Sequence, residues 1–237
     1  MRFPLVIAPL VVLLFLFRSS SAQEQGIENL PRFDLRTIHF GFTLGFNNMD
    51  FTLRRPESNG PIDSVLNITT QSQGGFQIAI VSDLRIGSNV NLRFIPGLSF
   101  GDRKVHYDVY HPSTGITTKV TKTAESTFLD FPLLFKYKTN RITNFRAYVL
   151  FGGKYSLDLA SQSKKKQEDE ANLKLLPHDY SVDIGVGVEW YLEYFKFGVE
   201  LRSSFGIPDM LKRENTIYTN NIDALRSKML WLCFTFE

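Results

Sequence analysis

The side chains able to bind a metal or act as nucleophile and base are few and scattered. Four histidines, His39, His106, His111 and His178, and one cysteine, Cys233, are the soft ligands of the 237 residues. None of the histidines forms a pair at helical metal spacing, and no His–Cys cluster exists. His106, Asp108 and His111 fall together in "GDRKVHYDVYH", which reads as a solvated loop. Ser161, His178 and Asp179 loosely imitate the hydroxyl, imidazole and carboxylate of barrels that act on lipids, but their spacing carries no mechanism. A single cysteine also excludes an internal disulfide. No catalytic residue, cofactor, metal or small-molecule substrate is expected.

Charge at alternate positions is what the chain has in quantity. Asp83, Arg85, Arg93, Asp130, Lys136, Arg146, Asp183, Glu189, Lys196, Glu200 and Arg202 each have a large apolar residue on at least one side. Alternation places successive side chains on opposite faces of a strand, so these charges share one face and the apolar residues the other. "TIHFGFTLGF", residues 37–46, shows the pattern with Ile38, Phe40, Phe42, Leu44 and Phe46 on one side. Burying so many charges in a dry sandwich core is very expensive without full pairing. As the lining of a small barrel they can pair with each other and with water. Two uses are open: a gate or proton path, or a charge-paired filling that holds a narrow barrel shut. About eight strands leave an interior just wide enough for side chains, which favours the filling and excludes a passing polypeptide.

Eight stretches carry the alternation. After the first come "GFQIAIVSDLRI", "NVNLRFIPGLSFG", "FLDFPLLFKYK", "FRAYVLFGGKYSLDL", "YSVDIGVGVEWYL", "FKFGVELRSSF" and "MLWLCFTFE". Many match the roughly 9–11 residues that a tilted strand needs to cross a bilayer. Their connections alternate: "GSN", "TNRIT" and "EY" are short, whereas residues 49–72, 101–124, 160–179 and 206–226 read as long polar loops. Tight turns at one end and long loops at the other are the habit of outer-membrane barrels. Tyr137, Tyr155, Tyr180 and Trp190 are placed to form interfacial aromatic belts. Pro96 and Pro132 fall inside strands and are expected to make bulges or local breaks. In the last loop, "IPDMLKRENT" is expected to open a short helix after Pro208, with Met210 and Leu211 as a lid or a docking point. The mixed run "KKKQEDE", residues 164–170, reads as a solvated loop tip.

The first 22 residues stand apart. Arg2, an apolar run interrupted by Pro4 and Pro9, Arg18 and a small-residue stretch read as a secretory signal cut between Ala22 and Gln23, rather than a retained anchor. The expected organisation is signal 1–22, a periplasmic lead 23–36 and a barrel 37–237, with both termini periplasmic. A formal charge of +3 with dispersed basic residues makes nucleic acid an improbable partner. The expected fold is all-β: an eight-stranded antiparallel up-and-down transmembrane barrel with short periplasmic turns and four long extracellular loops, its outer face in lipid.

Several long blocks carry a family resemblance. "NLPRFDLRTIHFGFTLGFNNMDF", "GFQIAIVSDLRIGSNVNLRFIPGLSFGDRKVHY", "STFLDFPLLFKYKTNRITNFRAYVLFGGKYSLDLAS" and "YFKFGVELRSSFGIPDML…NNIDALRSKMLWLCFTFE" resemble, in this order, the PorT/SprT family of Bacteroidetes outer-membrane proteins. The resemblance runs from about Asn29 to Glu237. It implies an eight-stranded outer-membrane barrel and a part in type IX protein secretion, with other components of that machinery as partners. Such a narrow barrel is expected to be an accessory or assembly part, not the conduit. The rival expectations are an outer-membrane barrel enzyme acting on lipid or peptide, and a small OmpX-like adhesion or stability barrel.

Overall fold

In the computed structural model, which describes residues 28–55, 65–161, 174–213 and 217–237, the alternating stretches become antiparallel strands. They are β1 (Ile38–Arg54), β2 (Val65–Arg85), β3 (Val90–Phe94), β4 (Gly97–His111), β5 (Ile116–Lys138), β6 (Phe145–Asp158), β7 (His178–Tyr191), β8 (Lys196–Gly206) and β9 (Ala224–Phe236). Each pairs with its neighbours in the order β1-β9-β8-β7-β6-β5-(β3, β4)-β2, and β1 pairs with β2 to close the ring. Since β3 and β4 lie end to end against both β2 and β5, they form one stave. The ring has eight staves, as the alternation predicts. The signal segment, with Ala22 and Gln23, and residues 164–170 lie outside the described residues.

Pro96 makes the expected break between β3 and β4, but the ladder does not slip. Phe94 faces Leu133 before the break and Gly97 faces Asp130 after it, in the same step. Ile95 donates to the Pro132 carbonyl at 3.2 Å and Ile80 to the Pro96 carbonyl at 2.9 Å, so the gap stays stitched on both sides. Pro132 does not end β5, whose ladder with β6 runs through it, but it lies opposite the break. Its missing N–H faces the Ile95 carbonyl, so of the two bonds this pair would exchange only the one from the Ile95 N–H remains.

Two of the four long loops prove to be mostly strand. Residues 49–72 shrink to the link between Arg54 and Val65, and residues 101–124 shrink to the turn 112–115 between His111 and Ile116. Gly115 lies at φ +68, a left-handed position that suits glycine, and its N–H returns to the His111 carbonyl at 2.9 Å. The reason for the difference is a change of phase. On β4 the outward residues are Leu98 and Phe100 below, but Asp102, Lys104, His106 and Asp108 above, while Val105, Tyr107 and Val109 turn inward and are buried. Below this level the ring is apolar outside and charged inside; above it the polarity is reversed. Of the stretch after Pro208, the described residues 209–213 are likewise not helical. They form a bridge from Leu211 to Leu175, and the short helix α1 (Ile217–Asn220) comes later.

The outer apolar band has clear edges. Tyr137 and Trp190 mark one, beside the turns that follow β5 and β7. Tyr180, paired across strands with Tyr155, marks the other. The ten steps from Tyr180 to Trp190, at about 3.3 Å each and tilted by about 40°, span about 25 Å. That is the height of the apolar belt of an outer-membrane barrel. Between the two rows Ile184, Val186, Val149, Phe151 and Phe135 remain about half exposed, which water would not tolerate over so wide an area. No helix among the described residues is long and apolar enough to cross a membrane.

Candidate functional site: a filled lumen closed at both ends

Inward positions on every stave project toward one axis, and the structure stacks them in tiers. The first tier begins with a cross-strand pair: Asp83 on β2 faces Arg93 on β3, with 3.0 Å between carboxylate and guanidinium. Arg93 reaches further, to Glu200 on β8 at 3.3 Å and to Glu237 at 2.5 Å. Lys136 on β5 closes onto Glu189 on β7, and Lys196 on β8 binds Glu189 at 3.0 Å and Glu237 at 2.8 Å. Tyr148 on β6 donates to Glu200 at 3.1 Å. It lies flat over Gly187, its cross-strand partner; a Cβ there would stand 2.3 Å from the Tyr148 ring. Lys136 sits 4.3 Å above the Tyr148 ring. Three cations thus tie five staves together around one aromatic ring.

The next tier is looser. Arg202 lies 3.7 Å from both Asp183 and Glu200 and donates to Gln77 at 3.4 Å. Asp130 accepts from Ser99 and Ser156 and stands 3.8 Å from Lys154, which in turn lies over the Trp231 ring. Higher still, Arg103 is clamped between the Phe51 and Phe128 rings, donates to Ser126 at 2.6 Å and faces Asp158 at 3.7 Å. Among the described residues nine buried basic side chains meet seven buried acidic ones, and Glu237 and Asp34 make up the difference.

Both ends are shut. At the loop end Phe51, Val105, Tyr107, Met210, Leu211 and Leu225 pack into a buried, mainly apolar cluster above the charges. At the end where the short turns and both described termini lie, residues 29–35 cross the mouth. Asn29 is held at the far rim by the Asn144 side chain and the Tyr191 carbonyl, at 2.9 and 3.0 Å. Arg141 closes the clasp by donating to the Asn29 carbonyl. Leu30 and Thr143, at φ 50 and 51, flank the clasp, the only described non-glycine residues with positive φ. Phe33 stacks on His39, and Asp34 takes both Arg146 Nη atoms at 2.9 Å and the Tyr191 hydroxyl at 3.0 Å. Burial alone would push the Asp34 carboxyl up. The Arg146 hydrogen bonds and charge, with Lys138 beside them, override it and hold the carboxyl below the usual carboxylate range.

Of the charges singled out from sequence, Asp83, Arg93, Asp130, Lys136, Asp183, Glu189, Lys196, Glu200 and Arg202 lie buried in the lumen. Arg146 is also buried, but it serves Asp34 at the mouth and not the tiers. Arg85 is different: it stays half exposed at the rim, donating to the Gly87 and Asp34 carbonyls. Sequence reasoning missed Asp34, Arg103, Lys154, Asp158 and Glu237. Lys154 shares the phase of Arg146 and was legible; Arg103 was hidden by the stretch taken for a loop. Of the expected lead 23–36, residues 29–35 are spent on the mouth. The loose trio does not converge: Ser161 donates to the Leu175 carbonyl, His178 pairs with the Tyr155 hydroxyl, and Asp179 points inward. No group of three metal-capable side chains occurs among the described residues.

An eight-stave antiparallel ring, apolar outside at bilayer height and charge-filled inside, is a small outer-membrane β-barrel. The family model for the outer membrane protein beta-barrel domain matches residues 21–212, and the chain belongs to that family. Among solved structures it is similar to OprG of Pseudomonas aeruginosa, at 13% identity over 90% of this chain and 95% of that one, with a TM-score of 0.42. Neisserial surface protein A matches at 11% identity over 84% and 98%, TM-score 0.41. Ail, the attachment invasion locus protein of Yersinia pestis, matches at 9% over 83% and 96%, TM-score 0.37. No curated protein matches the chain.

Proposed function

We propose that this barrel is a non-enzymatic outer-membrane component of the type IX protein secretion machinery, an accessory or assembly part of the PorT/SprT kind. Two supports of different origin bear on it. The ordered block resemblance from about Asn29 to Glu237 supplies the secretion role. The filled lumen, closed above by the apolar cluster around Met210 and below by residues 29–35, carries the accessory role, since no polypeptide passes such an interior. In this reading the short-turn end and both termini face the periplasm, the loop end faces outward, and the protein acts through contact with other secretion components.

Deletion of the gene tests the proposal. Cargo bearing the C-terminal export signal is expected to accumulate in the periplasm, and normal export refutes the role. Restoring the gene with Arg93→Met is expected to restore export in proportion to the folded barrel present, without new ion conductance. A conducting pore would favour a gate.

One observation favours a second reading, an OmpX-like adhesion barrel. The β4–β5 hairpin continues past the apolar band as a sheet with a polar outer face. Shortening that hairpin distinguishes the two: an adhesion barrel loses its phenotype while export continues.

A further inference from the structure

Between residues 30–36 and the rim made by β1 and the β7–β8 turn runs a cleft of about 590 Å³. Its floor is the start of the lipid-facing surface, for Ile38 and Phe40 are the first outward side chains of β1, and Phe40 is 68% exposed. Tyr194, at the tip of the β7–β8 turn and 88% exposed, forms one wall. Arg32 and Arg36 form the other. Neither guanidinium has a hydrogen-bond or ion-pair partner among the described residues. This sets them apart from Arg85, Arg141 and Arg146 at the same mouth, each of which is engaged. Glu237 also borders the cleft; its side-chain carboxylate binds Arg93 and Lys196, and its main-chain oxygen accepts from the Lys196 N–H at 2.7 Å.

These features form one amphiphilic site. Two idle guanidiniums suit a phosphate, an amphipathic ring marks headgroup level, and the apolar floor runs straight into the hydrocarbon band. The volume is that of a small-ligand site. We propose that the cleft binds an anionic phospholipid, its headgroup phosphate between Arg32 and Arg36 and its acyl chains along Ile38 and Phe40. The inference rests on the proposed orientation, in which this end faces the phospholipid leaflet.

The test uses the full mature chain purified in a neutral detergent and read by native mass spectrometry and thermal unfolding. Phosphatidylglycerol is expected to be retained roughly 30-fold better than phosphatidylcholine, the product of two juxtamembrane cations. Arg32→Gln with Arg36→Gln is expected to abolish that preference with the fold intact. Arg226→Gln with Lys228→Gln, exposed toward the opposite end, is expected to leave it unchanged. Equal retention of the two lipids, or a preference that survives the Arg32/Arg36 changes, overturns the site. Protection by inorganic phosphate equal to that by phosphatidylglycerol overturns the lipid and leaves a plain anion site. Orientation is read separately, by labelling Tyr194→Cys in intact cells with a reagent that cannot cross the outer membrane. Labelling from outside would overturn the orientation, and with it this leaflet, while the detergent result still reports whether the cleft takes lipid.

Discussion

Arg93→Met removes the cation on which the lowest tier converges. In the structure this guanidinium is fully buried and serves Asp83 at 3.0 Å, Glu200 at 3.3 Å and Glu237 at 2.5 Å, with Glu189 at 3.7 Å. Methionine fills most of the volume, so the loss is chiefly electrostatic. Four carboxylates would then share Lys136, Lys196 and the more distant Arg202. Breaking a buried network by removing one partner costs about 3–5 kcal/mol, because the remaining charge stays buried and unpaired. At about 1.4 kcal/mol per decade, the folding constant falls by about a hundredfold to a few thousandfold. Reversible urea unfolding into phospholipid vesicles, followed by the heat-sensitive gel mobility of the folded barrel, measures this directly. Adding Glu237→Gln removes one of the orphaned charges and is expected to recover part of the loss. A change below about 1 kcal/mol, or no recovery in the double variant, would refute the view that the tier holds the staves together by charge.

Other outcomes follow from the remaining parts of the molecule. Ile184→Arg places a charge near the middle of the outer band and is expected to cost about 2–4 kcal/mol in the same assay; a neutral effect would mean that hydrocarbon does not cover this face. Met210→Ala opens a cavity in the upper apolar cluster and is expected to cost about 2–5 kcal/mol, without raising conductance in a planar bilayer, because the charged tiers below stay filled. Asp34→Asn is expected to free residues 29–36, seen as faster amide hydrogen exchange there than in the unaltered protein at neutral pH. The pH dependence has a definite sign. The folded Asp34 carboxyl lies below its unfolded value of about 3.9, so its contribution is complete above that value and lost as pH falls through the folded one. The difference between the two proteins should therefore vanish in strong acid.

The barrel was legible because one signal dominates the lower half of the staves: large apolar residues outward, small, polar or charged ones inward, in a phase held from Ile38 to Phe46 and from Tyr180 to Trp190. The upper half was not legible by that rule. From Arg103 to His111 the chain alternates just as regularly, but Val105, Tyr107 and Val109 occupy the other phase, and a reading that looks for an apolar outside stops there. A strand that leaves lipid for water exchanges its inner and outer chemistry without ending. Pro132 costs a bond on the side of Ile95 and none toward β6, and which neighbour its missing N–H faces is not written in its own segment. Asp34 was out of reach altogether, since its partner Arg146 lies 112 residues away and nothing local marks the pair.

The placement of Asn29 has a consequence for assembly. Its partners lie in the turn just before β6 and at the end of β7, while the chain enters the ring at β1, and in an eight-stave circle β6 stands opposite β1 by either route. Residues 29–35 therefore span a diameter that does not exist until the first and last strands have met. In an open or unfinished sheet the clasp has no counterpart within reach, so its stabilisation accrues to the completed cylinder alone. It works as a seal set after closure, and it weights the balance against any partly zipped form.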